Sequence, residues 1–210
     1  MTAIREIQSQ LSRVQTRRKL MIWCVSILFI PALFFTTAYF KTGSWQRVTI
    51  ELVGLLLIFT AIIGRSCCTL YIGGRKTSSL IRSGPYSVCR NPLYFFSFMA
   101  TAGLGMQTDS LSLALMMVLL AYSIFLAVVL REEAGLSSVH GQAYRDYRQS
   151  VPRFMPNLRL WRDVETVTVN PRVWTRTVMD GMVFILLAVA IRAGLLLQPM
   201  RADFPLLTLY

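Results

Sequence analysis

The fold of this chain is decided by a stretch that opens with Ser83-Gly84-Pro85-Tyr86-Ser87-Val88-Cys89-Arg90-Asn91-Pro92-Leu93-Tyr94. Two apolar runs follow, separated by Gln107-Thr108-Asp109-Ser110, and the stretch closes with Val151-Pro152-Arg153-Phe154-Met155-Pro156. Polar, aromatic and proline-rich sequence therefore stands at both feet of a hydrophobic helical hairpin. We expect any active site to lie at these feet.

The composition is typical of a small polytopic membrane protein. Of the 210 residues, 54% are hydrophobic and only 15% are charged, with a mean hydropathy of +0.52. The apolar residues come in long blocks, as membrane spans require. A net charge of +12 is also compatible with nucleic-acid binding. The basic residues lie between the apolar blocks rather than along one face, so they favour loops that face anionic lipid headgroups.

Five apolar runs predict an all-α polytopic membrane protein with about five transmembrane helices, since roughly 20 helical residues cross the hydrocarbon core. The runs are 20–40, 48–64, 92–106, 111–130 and 182–197. The last run is interrupted by Arg192, so an interfacial helix is the alternative there. Residues 1–19 combine apolar positions at helical spacing with basic residues, which predicts an amphipathic segment on the membrane surface.

These runs divide the chain into a basic N-terminal segment (1–19), two transmembrane helices (20–74), a core with the hairpin and its polar motifs (75–156), and a C-terminal extension with the fifth run (157–210). With a cytoplasmic N-terminus, the segments 1–19, 65–91 and 131–176 face the cytoplasm and hold 18 of the 22 Lys and Arg residues. This excess follows the positive-inside rule. We therefore expect an integral multi-pass protein, in the inner membrane if the source is bacterial, with its N-terminus and both feet cytoplasmic.

The sequence does not indicate a metal site. The four cysteines form no CxxC pair and His140 is the only histidine, so no zinc-ligand spacing can be built. We interpret the cysteines as small buried apolar residues.

Two adjacent carboxylates stand out at the second foot. Glu132 and Glu133 are two of only ten acidic residues, and they follow the fourth apolar run almost directly. Carboxylates at the hydrocarbon edge cost several kcal/mol unless they are paired or solvated. They would also lie at the negative end of a helix if the helix ended there. Either a cationic side chain (Arg90, Arg131 or Arg153) compensates them, or they bind a cationic ligand or hydroxyl groups.

Three further motifs allow a structural and a functional interpretation. Asn91-Pro92 predicts the start of the third helix, with the asparagine side chain as its cap. Tyr144 and Tyr147 share one face of a predicted helix, either in a site or in an interfacial tyrosine belt. Gly103-Leu104-Gly105 predicts close helix packing or a contribution to the site.

In this order, Gly-Pro-Tyr (84–86), Arg-x-Pro-x-Tyr (90–94), Gly-x-Gly (103–105), Glu-Glu (132–133), Gly-x-x-Tyr-x-x-Tyr (141–147) and Val-Pro-Arg-Phe-x-Pro (151–156) resemble a known superfamily. It is the isoprenylcysteine carboxyl methyltransferase / phospholipid N-methyltransferase superfamily of integral membrane enzymes, which use S-adenosylmethionine without a Rossmann domain. The resemblance covers about residues 75–156. It departs at Asn91, where the family usually has histidine, and at His140, where an aromatic residue usually precedes the glycine.

The resemblance implies a cofactor pocket for S-adenosyl-L-methionine on the cytoplasmic side, at the foot of the hairpin. Its implied lining is Arg90, Asn91, Pro92, Tyr94, Gly103, Gly105, Glu132, Glu133, Tyr144 and Tyr147. Arg153 is the candidate for orienting an anionic substrate group, and Glu132 or Glu133 is the candidate base if the acceptor is an amine. The residue types suit the cofactor, because carboxylates pair with its cations and hydroxyls and arginine pairs with its carboxylate.

The expected function is methyl transfer to a membrane-embedded or hydrophobic acceptor, most like isoprenylcysteine carboxyl O-methylation, with phospholipid ethanolamine N-methylation as an alternative. Two other hypotheses remain: a membrane reductase that binds NADPH through similar motifs, and an inactive relative, prompted by Asn91. The expected partners are the lipid bilayer and a hydrophobic or lipid-linked acceptor, without nucleic acid. The sequence does not indicate an oligomeric state.

Overall fold

The computed structural model describes residues 36–38, 43–73, 79–197 and 207–209. The predicted amphipathic segment 1–19 lies outside the described residues, and so does the predicted first span 20–40 apart from residues 36–38.

Helices make up about three quarters of the described chain. Helix α1 is Trp45–Ile72, α2 is the short Pro85–Val88, α3 is Pro92–Met106, α4 is Leu111–Ser150 and α5 is Pro171–Leu197. A 3₁₀ turn, Leu158–Leu160, interrupts the connection between α4 and α5, and two three-residue strands, β1 (Thr36–Ala38) and β2 (Leu207–Leu209), pair in parallel.

The prediction of an all-α polytopic membrane protein is confirmed. In the described part of the chain, α1, α4 and residues 171–196 of α5 are long and apolar enough to cross a membrane, and α3 is a shorter apolar helix. Four of the five predicted spans thus coincide with helices. The hairpin of α3 and α4 also forms, with residues 107–110 as its turn.

Local sequence sets the ends and bends of these helices. The Ser44 and Ser110 side chains accept hydrogen bonds from the first turns of α1 and α4, with Arg47 N–H (3.5 Å) and Leu113 N–H (3.2 Å) as donors. Within α4, Gly141 takes φ +52°, a conformation that side chains rarely adopt, so residues 142–150 leave along a new direction. This kink turns the second foot back beneath the hairpin.

Helix α3 lies at the centre of the bundle, between α1 and α4, and it also touches α5. Its glycines permit this packing. A Cβ on Gly103 would lie 2.5 Å from the Gly54 carbonyl oxygen of α1, and a Cβ on Gly105 would clash with the Ala114 backbone of α4. The Gly-x-Gly motif therefore brings three helices close together.

Two helices are longer than the apolar runs that predicted them. Helix α4 continues across Glu132 and Glu133 to Ser150, so these carboxylates are not at a helix C-terminus. The final helix begins at Pro171 rather than near residue 182, and Arg192 does not interrupt it.

Arg192 is instead part of a polar cluster at the end of the bundle away from the feet. Its guanidinium bonds both oxygens of Asp109 (2.8 and 2.9 Å) and the Gln107 side-chain oxygen (3.2 Å), and it pairs with Glu51 (3.1 Å). Arg47 also pairs with Asp109 (2.6 Å). This cluster joins α5 to α1 and to the turn of the hairpin, which explains how the span tolerates an arginine.

Candidate functional site

The two feet are joined by backbone hydrogen bonds across sixty or more residues of sequence. The segment after α4, residues 151–163, which we call the strap, runs beside residues 84–91. Arg90 N–H donates to Pro152 O (2.9 Å), Asn157 N–H donates to Val88 O (2.9 Å), and Gly84 N–H donates to Arg162 O (2.7 Å). The polar motifs at both ends of the hairpin thereby form one surface.

Glu133 is the centre of this surface. Arg153 binds it with two guanidinium nitrogens, Nε (3.2 Å to each oxygen) and Nη2 (3.0 Å to Oε2). Arg90 pairs with it at 3.2 Å, and the Asn91 amide donates to Oε1 at 3.2 Å. The Glu133 and Arg90 side chains are only 6% and 8% exposed, whereas Arg153 is 30% exposed. Arg153 is thus the most exposed of these three side chains, and its hydrogen bond to Glu133 raises its pKa.

Glu132, the neighbour of Glu133 on α4, is also buried. The Tyr94 hydroxyl donates to Glu132 Oε1 at 3.1 Å, and the Tyr94 ring packs on Phe125 with 5.2 Å between centroids. The first foot therefore supplies a partner to each carboxylate of the second. Glu133 follows the first alternative, compensation by Arg90 and Arg153, whereas a partner of Glu132 is a hydroxyl group.

Tyr144 and Tyr147 lie together on the short helical segment after the Gly141 kink, with 6.1 Å between their ring centroids. Both are buried, and the Tyr147 hydroxyl donates to the Tyr86 backbone oxygen at 2.6 Å. Tyr147 therefore fastens the kinked end of α4 to the first foot.

A groove with a volume of about 770 Å³ adjoins the Glu133 cluster. Small-molecule sites in proteins commonly have volumes of roughly 300–1,000 Å³. Its lining contains three arginines and no acidic residue. The lining consists of Arg90, Arg148, Gln149, Ser150, Val151, Pro152, Met155, Pro156, Asn157, Leu158, Arg159 and Leu160.

Most of the sequence-predicted site residues come together at the feet, but they do not all reach the groove. Arg90 lines the groove. The others gather around the two carboxylates and the strap: Asn91, Pro92, Tyr94, Glu132, Glu133, Tyr144, Tyr147 and Arg153.

Gly103 and Gly105 are not brought to this site. Gly103 follows Asn91 by twelve residues, about 18 Å along a helix, and both glycines pack against neighbouring helices as described above. We do not retain them as cofactor contacts.

Asn91 stands at the start of α3, but the prediction that its side chain caps the helix was wrong. The amide makes no capping hydrogen bond. It donates instead to Glu133 and to the Arg153 backbone oxygen (3.2 and 3.3 Å). Asn91 therefore links α3, α4 and the strap.

Three residues at the feet escaped the sequence reasoning. Arg148 and Arg159 line the groove. Their closeness in sequence to the proline-rich strap is the signal that could have identified them. Cys89 donates a hydrogen bond through Sγ to the Phe154 carbonyl oxygen (3.1 Å), and burial raises the pKa of its thiol to about 11. In the described part of the chain, no group of three or more His, Cys, Asp or Glu side chains is arranged to hold a metal ion.

The fold and the site together define a polytopic membrane protein whose buried polar cluster joins the two feet of a helical hairpin. The family model described as phospholipid methyltransferase matches residues 48–143. The chain is 33% identical over 185 residues to the nickel-cobalt-cadmium resistance protein NccN of Alcaligenes xylosoxydans xylosoxydans, covering 88% of this chain and 86% of the relative.

It is also 33% identical over 178 residues to the cobalt-zinc-cadmium resistance protein CzcN of Cupriavidus metallidurans, covering 85% of this chain and 82% of the relative. No solved structure matches the chain. The chain belongs to the phospholipid methyltransferase family, within the superfamily of integral membrane methyltransferases that its motifs resemble.

Proposed function

We propose that the protein is an integral membrane methyltransferase that uses S-adenosyl-L-methionine and methylates a membrane-embedded or hydrophobic acceptor. The observation that carries the proposal is the Glu133 cluster, in which two arginines and an amide from both feet converge beside a groove of about 770 Å³. Family membership supports a methyltransferase, and the cluster supports the feet as the place of the reaction.

The residues present fit the cofactor. Its carboxylate suits Arg90, a buried guanidinium on the groove wall whose Nε has no hydrogen-bond partner. The nearest carboxylates for its cationic groups are those of Glu132 and Glu133, which lie beside the groove rather than in its lining and already accept hydrogen bonds from side chains at the feet. When bound, the cofactor supplies an electrophilic methyl group. The chain's own contribution is to hold the two reactants in line and away from water, since proximity and orientation lower a displacement barrier by several kcal/mol.

A carboxylate is the acceptor that we propose, as in isoprenylcysteine carboxyl O-methylation. A carboxylate is already ionised at neutral pH, so it needs no general base, and Arg153, whose side chain is 30% exposed, can orient it. An amine acceptor must first lose a proton. Glu133 is poorly suited to take that proton because its two oxygens already accept hydrogen bonds from Arg153 and Asn91.

Phospholipid amine methylation is the second candidate, because the matching family model is described by phospholipid methylation. Glu132, which accepts a hydrogen bond from Tyr94, would then be the candidate base. To separate the two, membranes that contain the protein are incubated with methyl-labelled cofactor. The label is then divided into base-labile ester, lipid, protein and volatile fractions. Base-labile ester supports the carboxylate, and stable label in phospholipid supports the amine.

The reductase hypothesis also needs a test, because the three arginines of the groove suit the 2′-phosphate of NADPH. Purified protein in lipid nanodiscs should bind S-adenosylhomocysteine and not NADPH. Tight binding of NADPH without affinity for S-adenosylhomocysteine would sink the methyltransferase proposal. Binding of neither ligand would favour the inactive relative.

We place the feet on the cytoplasmic side because 18 of the 22 Lys and Arg residues lie in segments that this orientation makes cytoplasmic. A water-soluble cofactor is then available to the groove. The names of the two relatives refer to resistance to cobalt and cadmium, among other metals. We therefore propose that the acceptor is most abundant in cells grown with these ions, and the labelling is to be compared with and without them.

A further inference from the structure

The strap does not lead away from the membrane, because Phe154 returns it to the hairpin. The Phe154 ring packs edge-to-face on Phe98 of α3 (5.4 Å between centroids, 74°) and on Tyr122 of α4 (5.7 Å, 63°). Tyr122 lies about two helical turns before the apolar run of α4 ends. Residues 154–161, which we call the lip, therefore begin at the level of the hydrocarbon.

Non-helical backbone at that depth needs hydrogen-bond partners from the protein. The Phe154 carbonyl oxygen accepts from Cys89 Sγ (3.1 Å). The Arg153 carbonyl oxygen accepts from the Asn91 backbone N–H (3.2 Å) and from the Asn91 side-chain amide (3.3 Å). The carbonyls where the strap re-enters are thus satisfied without water, as contact with lipid requires.

The outer side of the lip combines apolar and basic side chains. Met155 and Leu158 are 74% and 75% exposed, and Trp161 is 50% exposed. Exposed apolar residues of this size next to a re-entering segment favour lipid over water. Arg159 lies among them, and Arg148 lines the same groove from the last turn of α4. Tryptophan with arginine beside an apolar insertion is typical of the membrane interface.

We propose that the lip docks on the anionic headgroup layer of the bilayer. Met155 enters the acyl region, Leu158 and Trp161 lie at the level of the headgroups, and Arg148 and Arg159 pair with lipid phosphates. The partner is anionic lipid because the groove behind the lip is lined by three arginines and no acidic residue. Since Met155, Leu158 and Arg159 also line the groove, its mouth opens at the headgroup layer, on the border between the cytoplasm and the bilayer.

The test measures the environment of Trp161 in nanodiscs, by subtracting the fluorescence of Trp161→Phe from that of the unaltered protein. Lipids brominated near the glycerol backbone are the probe from the bilayer, and acrylamide, which carries no charge, is the probe from water. We expect the brominated lipid to quench Trp161. We also expect its quenching by acrylamide to fall several-fold when phosphatidylglycerol replaces part of the phosphatidylcholine.

The double variant Arg148→Gln/Arg159→Gln should lose this dependence on phosphatidylglycerol, and the control Arg172→Gln, an exposed arginine outside the lip, should keep it. Acrylamide quenching that is equal in both lipids, with none by brominated lipid, would show that the lip faces water. Bromine quenching without any dependence on lipid charge would overturn the anionic partner. The readout needs no methyl transfer, so its failure and the failure of the proposed function are distinguishable.

Discussion

The two ends of this bundle carry the same charge arrangement for different purposes. At the feet, Glu133 is bound by Arg90 and Arg153, and the Asn91 amide completes the cluster. At the opposite end, Asp109 is bound by Arg47 and Arg192. Each end thus has one buried carboxylate, two arginines and a side-chain amide, which is Gln107 at the far end.

The surroundings of the two clusters differ. The far cluster is packed: Gln107 and Asp109 are 0% and 1% exposed, and Gln107 also donates to the Glu51 carbonyl oxygen (3.1 Å). The cluster at the feet adjoins the groove, and no residue of the far cluster lines that groove. A buried ion cluster is therefore no evidence of function by itself. The open groove next to it distinguishes a candidate binding site from a cluster that only holds helices together.

The largest effect is expected from Glu133→Gln. The amide keeps the shape of the side chain but leaves Arg90 and Arg153 without their shared counter-charge, so the geometry at the feet is lost. We expect methyl transfer per folded protein to fall by roughly 100-fold, measured with labelled cofactor in nanodiscs. Retention of the unaltered rate would return Glu133 to a structural role.

The matched change at the far end, Asp109→Asn, should act on stability instead. Removing one partner of a buried ion pair costs about 3–5 kcal/mol, and here two arginines lose their counter-charge. The midpoint of thermal unfolding in detergent should fall while S-adenosylhomocysteine affinity of the folded fraction is kept.

Glu51→Gln is the control for Asp109→Asn. Its side chain is 38% exposed and it pairs with Arg192 alone among the described residues, so a change of about 1 kcal/mol or less is expected. Equal destabilisation by the two substitutions would contradict the account of the far cluster.

A smaller effect is expected from the two amides. Asn91→Ala removes donors to Glu133 and to the strap, and a buried hydrogen bond contributes about 1 kcal/mol. The rate of methyl transfer should fall by roughly fivefold, which corresponds to about 1 kcal/mol, and the free energy of unfolding should fall by about 1 kcal/mol as well. Gln107→Ala should lower the free energy of unfolding and leave the rate of methyl transfer per folded protein unchanged. Each variant is measured for its rate of methyl transfer and for its free energy of unfolding. Equal changes in the rate of methyl transfer in Asn91→Ala and Gln107→Ala would contradict the different roles of the two clusters.

The smallest effect concerns thiol reactivity at the feet. Burial raises the pKa of Cys89 to about 11, so its thiolate is scarce at neutral pH and increases only as the pH rises toward that value. Cys67 on α1 is exposed. In a Cys24→Ser background, mass spectrometry should find maleimide on Cys67 well before Cys89. Fast labelling of Cys89 at neutral pH would show that the strap opens readily.

The sequence predicted the elements better than their partners. Four of the five predicted spans coincide with helices, because a long apolar segment in a bilayer has few alternatives to a helix. Charge placement suggested compensation of Glu132 and Glu133. It could not show that α4 continues across them to Ser150, because a polar amphipathic extension is hard to distinguish from a loop.

The rest depends on tertiary contacts. Asn91 has the sequence signature of a helix cap, and only the approach of Glu133 and of the strap explains why its amide points elsewhere. Gly103 and Gly105 matched a functional motif, but their distance from the feet along α3 follows from helix geometry once the helix is known. Arg192 was read as an interruption because its partners, Asp109 and Glu51, are remote in sequence.

The most direct test of the central claim is the affinity for S-adenosylhomocysteine of three proteins: the unaltered chain, Glu133→Gln and Asp109→Asn, by titration calorimetry in nanodiscs. The account predicts binding by the unaltered chain and by folded Asp109→Asn, and severe loss of binding in Glu133→Gln. Binding that survives in Glu133→Gln and is lost in folded Asp109→Asn would place the site at the wrong end of the bundle.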